Sequence, residues 1–124
     1  MSTDYYGPDG QPMTMEEWAA ARSRDDDSLW QKHHLVTKTD SAEVSTVWLG
    51  MDHSWGDGPP LIFESLVFGG ALADEMDRYS TWREAQNGHA ALVDRVLRSE
   101  RLTARVARRI RAAVRALRGR EDWS

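Results

Sequence analysis

"EVSTVWLGM", residues 43 to 51, and "LIFESLVF", residues 61 to 68, are the two stretches on which the fold turns. Both are rich in β-branched and aromatic residues, and both are short, so each reads as a strand. "MDHSWGDGPP", residues 51 to 60, separates them with glycine, proline and aspartate, which is turn chemistry. A short connection of this kind favours an antiparallel pair.

The reading extends outward in both directions. "SLWQKHHLVTKT" (28–39) is expected to be a strand, closed by a turn at Asp40-Ser41. Beyond Gly69-Gly70, "EMDRYS" (75–80) reads as a short fourth strand. Towards the N-terminus, a short strand is expected at Tyr5 and Tyr6, followed by a turn at Pro8-Asp9-Gly10. Thr14 with Glu17 forms a capping-box pattern and opens a helix with Met15, Trp18 and Ala19 on its apolar face. The acidic run Asp25-Asp26-Asp27 ends that helix as a solvated loop.

On the C-terminal side Ser80 is expected to cap a helix over 81–99. Trp82, Ala85, His89, Leu92 and Val96 repeat at three and four residues and share one face. Gly88 inside that helix costs about 1 kcal/mol against alanine, which predicts close packing on the sheet. A second helix is expected over 101–118, stopped by Gly119. The fold class is therefore α+β. One domain, 1–124, holds a turn and short helix (1–27), an antiparallel sheet of three or four strands (28–80), a packing helix (81–99) and an arginine-rich amphipathic helix (101–118).

With 124 residues the chain can bury a real core. It has no cysteine, so disulfides and thiolate metal sites are excluded. No apolar stretch approaches the ~20 residues of a membrane span. The absence of cysteine is compatible with a cytosolic location, and the N-terminus lacks the basic and apolar regions of a signal peptide. Net charge is -4, but unevenly distributed. Residues 1–97 carry 7 Lys+Arg against 17 Asp+Glu, or -10, and residues 98–120 carry 9 Arg against 1 Glu, or +8. A basic tail on an acidic body points to a polyanion or another acidic surface, the protein's own body included.

"VSTVWLGMDHSWGDGPPLIFESLVFGG" with "DRYSTWREAQNGH", and more loosely "YYGPDGQPMTMEEW", resembles a set of short uncharacterised proteins carried by phages of actinobacteria. The likeness covers about residues 44–89 and not the arginine-rich end. It implies a phage or prophage origin and action in the cytoplasm of a bacterial host. It carries over no catalytic residue.

Two candidate sites stand out. The first is Asp52, His53, Glu64 and His89. Glu64 is a carboxylate within an apolar run, and in one strand register it neighbours Asp52 diagonally. With the two histidines it could bind a divalent ion or do acid–base work. The spacing matches no named metal motif, and the bland readings stand beside it. Asp52 caps a turn, His53 is a loop residue, Glu64 pairs with Arg78, and His89 is a core histidine. Neither "GDGPP" nor "FGG" is a phosphate loop, and no nucleophile elbow is present.

The second is the arginine helix. At 100° per residue, Leu102, Val106, Ile110, Ala113, Val114 and Leu117 fall within about 120° of arc. Arg101, Arg105, Arg108, Arg109, Arg111, Arg115 and Arg118 fill the rest. Nucleic acid, an anionic membrane, and packing on the sheet or on a twin helix all fit such a face. The membrane fits least, since no Trp or Phe anchors the apolar side. Trp55, in the loop after His53, is a further candidate contact for a partner, or a lid over the sheet. Trp18, Trp48 and Trp82 read as core.

The sequence thus predicts a binding protein without catalytic chemistry, acting on a host protein or nucleic acid through Trp55 and the arginine helix. Its alternatives are a metal- or phosphate-ligand-dependent protein or enzyme using Asp52, His53, Glu64 and His89, and a structural homo-oligomer. No cofactor is assigned.

Overall fold

The structure, a computed structural model, describes residues 4–54 and 56–121. Four strands, β1 (His34–Lys38), β2 (Glu43–Trp48), β3 (Phe63–Phe68) and β4 (Met76–Tyr79), form one antiparallel sheet in chain order. Helix α1 (Met15–Ala21) and a single helical turn α2 (Leu29–Lys32) precede it, and helix α3 (Trp82–Glu121) follows. The fold is α+β, as the strand and helix signals predict.

The register pairs Trp48 with Phe63 and Val47 with Glu64 across β2 and β3. Side chains alternate across a strand, so Val44, Thr46, Trp48, Phe63, Ser65 and Val67 form one buried face. The first half of α3 lies on it. Val44, Val67, Leu92 and Val96 make one apolar cluster. Trp30, Trp48, Ile62, Phe63 and Ala85 make another, flanked by Trp18 and Trp82. Fully burying each large apolar side chain contributes about 1.5–3 kcal/mol. Trp30 is therefore a second buried tryptophan beside Trp48, while Trp18 and Trp82 are only partly covered.

The capping box forms as predicted: Glu17 N–H donates to Thr14 Oγ1 at 3.1 Å, and Thr14 N–H donates to Glu17 Oε1 at 2.9 Å. Tyr5 and Tyr6 make isolated bridges to Met51 and Pro12 rather than a strand. Tyr6 then holds the end of β2, its carbonyl accepting from Trp48 Nε1 at 3.0 Å. Gly50 has φ 74° and lies against the Trp18 and Trp48 rings, leaving no room for a Cβ.

Four expectations are corrected. The strand over 28–39 begins only at His34, because Ser28 caps a helical turn by accepting from Gln31 N–H at 3.1 Å. Thr81, not Ser80, caps α3, accepting from Glu84 N–H at 3.1 Å. The two helices over 81–99 and 101–118 are one helix of 40 residues. Neither glycine nor proline interrupts Ser99-Glu100-Arg101, so the hydrogen-bond ladder continues. The helix also runs through Gly119, at a cost of about 1 kcal/mol against alanine.

Gly88 is explained by Tyr79. A Cβ at residue 88 would run into the phenol ring. Gly88→Ala is expected to lower stability by about 1–3 kcal/mol, overpacking outweighing alanine's better helix propensity. Urea denaturation measures it. A variant as stable as the parent would mean that Tyr79 swings aside freely.

Candidate functional site

The four residues of the first candidate site are distributed over three places. Asp52 closes the 52–61 loop: its Oδ1 accepts from Ser54 N–H at 2.8 Å and Leu61 N–H at 3.0 Å. Partial desolvation raises its pKa, but hydrogen bonding from Ser54 and Leu61, with the nearby His53, outweighs it and holds the carboxyl below its ordinary value. His53 is held by its backbone, whose N–H donates to Leu61 carbonyl at 3.0 Å. Glu64 lies on the sheet face away from α3 and accepts from Arg78 Nε at 3.1 Å. Arg78 also lines an open hollow of about 310 Å³ with Asp52, His53 and Ser54.

His89 is on the opposite side of the sheet, under α3. It is only 7% exposed. Its Nε2 lies 2.8 Å from Thr37 Oγ1 and its Nδ1 2.7 Å from Thr46 Oγ1. Thr46 Oγ1 is in turn 2.6 Å from Ser65 Oγ. Each hydroxyl can donate or accept, so the row is satisfied with the ring proton on either nitrogen. No group of three His, Asp or Glu side chains is placed to hold a metal among the described residues. The sheet itself separates Glu64 from His89, because adjacent strand residues point to opposite faces. A single metal or acid–base centre built on Asp52, His53, Glu64 and His89 is therefore not formed.

Sequence reasoning selected His89 but missed Thr37, Thr46 and Ser65. Its one available signal was strand alternation. Thr46 falls between inward-facing Val44 and Trp48, and Ser65 between inward-facing Phe63 and Val67.

The arginine helix is a surface that the fold leaves open. Glu100 fastens α3 to the β1–β2 turn, its Oε2 accepting from Thr39 Oγ1 at 2.7 Å and from Ser41 N–H at 2.8 Å. The hydrogen bonds from the Ser41 and Thr39 hydroxyls, with that from Ser41 N–H, lower its pKa. Beyond it α3 leaves the domain. Arg101, Arg105, Arg108, Arg109, Arg111, Arg115 and Arg118 are all exposed. So are Leu102 (60%), Val106 (47%), Ile110 (59%), Val114 (43%) and Leu117 (59%). Among the described residues no carboxylate lies within ion-pairing distance of those arginines. No helix is long and apolar enough to cross a membrane among the described residues. Trp55 lies outside the described residues.

Burial lowers the pKa of His89 below the ordinary histidine value. The unfolded chain then binds more protons than the folded one below about pH 6.5. Stability from His89 is thus complete above that pH and is lost as the pH falls towards the depressed folded value. His34 acts in the same direction, its pKa lowered by its own burial and the nearby Arg24. Melting followed from about pH 8 to 5 should show a shallower acid loss in His89→Gln than in the parent. Identical slopes would rule out a contribution from His89.

No family model, curated protein or solved structure matches the chain.

Proposed function

We propose that this chain is a binding protein without catalytic chemistry that engages a nucleic-acid backbone through the arginine face of the distal half of α3. The supporting observation is the placement of the arginines. They sit on a helix that stands off the acidic domain, exposed and without carboxylate partners among the described residues. A body of -10 repels a polyanion, but the charge is screened over a Debye length of about 8 Å. Arg115 follows Glu100 by 15 residues, which at about 1.5 Å per residue places it ~22 Å along the helix from that last tether. That is well beyond the reach of the body's field.

Guanidinium groups suit phosphates because they stay charged and present a planar fork of donors. No base-reading element is assigned, so binding should tolerate any sequence. In line with the resemblance to phage-borne proteins, this reading locates the activity in the cytoplasm of a bacterial host. A host protein with an acidic surface is the second reading. It is favoured by the exposed apolar stripe, for which phosphates have no use.

Fluorescence anisotropy with a short labelled DNA duplex tests the first reading. The logarithm of affinity should fall with the logarithm of salt, by about 0.9 for each phosphate engaged. Reversing charge at Arg108, Arg111 and Arg115 together should weaken binding at least tenfold without changing the melting temperature of the domain. Equal binding by the triple variant would refute the role given to this face.

A further inference from the structure

The sheet has two faces, and α3 covers one. On the other, the register aligns Val36, Ser45, Leu66 and Met76 in a row across the four strands, with Phe68 beside it. Val36 (47%), Met76 (46%) and Phe68 (50%) are exposed there. Ion pairs flank the row, Glu64 with Arg78 at 3.1 Å and Lys38 with Glu43 at 3.9 Å. Among the described residues this row and the distal stripe of α3 are thus both uncovered apolar surfaces. We infer that a second copy of the chain covers both: the distal half of each α3 lies on the outer sheet face of the other copy.

Helix periodicity supports the geometry. Ile110 and Val114 follow Leu92 and Val96 by 18 residues, about five whole turns. The distal stripe therefore faces the same side as the docked half, across the level of its own sheet but beyond that sheet's end. A copy related by a two-fold rotation, with its sheet end to end with the first, presents its outer face to that stripe. Its own distal helix then runs back under the outer face of the first copy. Both contacts are identical, as a closed dimer requires.

Charge selects this pairing over twin helices. Stripe against stripe would set one +8 segment beside another. Stripe on sheet sets +8 on a body of -10. Arg105 and Arg109 border one side of the stripe, and Arg111 and Arg118 the other. The acidic run Asp25-Asp26-Asp27 leads into α2, whose Trp30 ring lies 4.5 Å from His34 at one end of the open face. The area is sufficient. A distal half about 30 Å long and 10 Å wide covers about 300 Å². Four such surfaces give about 1,200 Å², the lower end of stable interfaces.

The inference rests on the apolar stripe of the same distal helix and the arginines at its edges, Arg111 among them, and leaves Arg101, Arg108 and Arg115 outward, so the apolar variants separate it from polyanion binding. Sedimentation equilibrium should give twice 14.1 kDa for the parent, with dissociation promoted by salt. Val106→Asp with Ile110→Asp should raise the dimer Kd at least tenfold, and so should Phe68→Asp with Met76→Asp. An equimolar mixture of the two variants should recover dimer, since one helix–sheet contact stays intact in the mixed pair. Circular dichroism checks that each variant is folded. Should the sheet variant unfold, the absence of native cysteine offers a second measurement. A mixture of Leu66→Cys and Ile110→Cys should oxidise to the mixed disulfide. A monomeric parent at every concentration overturns the inference. So does a folded sheet variant that remains dimeric while the helix variant does not, or crosslinking of Ile110→Cys only to itself, because those results indicate twin helices. A monomer that still binds the duplex refutes the dimer alone.

Discussion

His89 reaches Thr37 with one ring nitrogen and Thr46 with the other, and Thr46 continues to Ser65. This polar row crosses an otherwise apolar interface between α3 and the sheet. Val44, Val67, Leu92 and Val96 lie on one side of it, and Trp48, Phe63 and Ala85 on the other. Sliding α3 by one turn would strip the buried imidazole of both its partners, at about 1–3 kcal/mol for each buried group left unpaired, while Thr46 and Ser65 would keep each other across β2 and β3. Apolar contacts alone would resist such a slip far less, because hydrophobic burial is non-directional. The row therefore sets where α3 sits along the strands. Gly88, one residue earlier, lets the helix come down onto Tyr79.

Fixing that half also fixes the direction of the other. Helix nucleation is the costly step, and the docked turns supply it. Glu100 then holds α3 at the β1–β2 turn just before the helix leaves the domain. Alanine, arginine and leucine, which dominate 101–118, are strong helix formers. Yet Arg101, Arg105 and Arg109 repeat at four residues, and Arg108, Arg111, Arg115 and Arg118 at three and four. Each like-charge pair at such spacing costs about 0.2–0.5 kcal/mol. A helix that presents repelling cations on one side and uncovered apolar groups on the other is poorly matched to water on both. Anions relieve the first defect and an apolar surface the second.

Much of this was legible from the residues, and the failures have physical causes. β2 and β3 declare themselves by length and β-branching, and Gly88 signals close approach. The α2 turn was hidden because "SLWQKHH" has strand-like composition, whereas the Ser28 cap and the burial of Trp30 decide its shape. The supposed break near Ser99 had no glycine or proline behind it. Glu64 drew attention as a carboxylate in an apolar run, but alternation places Phe63, Ser65 and Val67 inward and Glu64 outward. Register, which no local signal reveals, decides between the two readings of Glu64 and pairs it with Arg78 rather than with a metal ligand. Nothing local marks Thr46 and Ser65, because hydroxyl residues are ordinary in strands.

The charge asymmetry acquires a structural meaning from this arrangement. On a compact domain, +8 and -10 would largely neutralise each other at the surface, where each exposed ion pair contributes only about 0–1 kcal/mol. Placing the cations on a rod beyond Glu100 keeps them from their own carboxylates. In the proposed arrangement a second copy meets them along the edges of the stripe, and phosphates along its back. The helix itself, about 10 Å across, separates those two faces by roughly a Debye length. Acidic contacts below and phosphate contacts above therefore need not compete. A shorter helix, or one folded back on its own sheet, would offer a single face, and its arginines would be spent on the body that carries them.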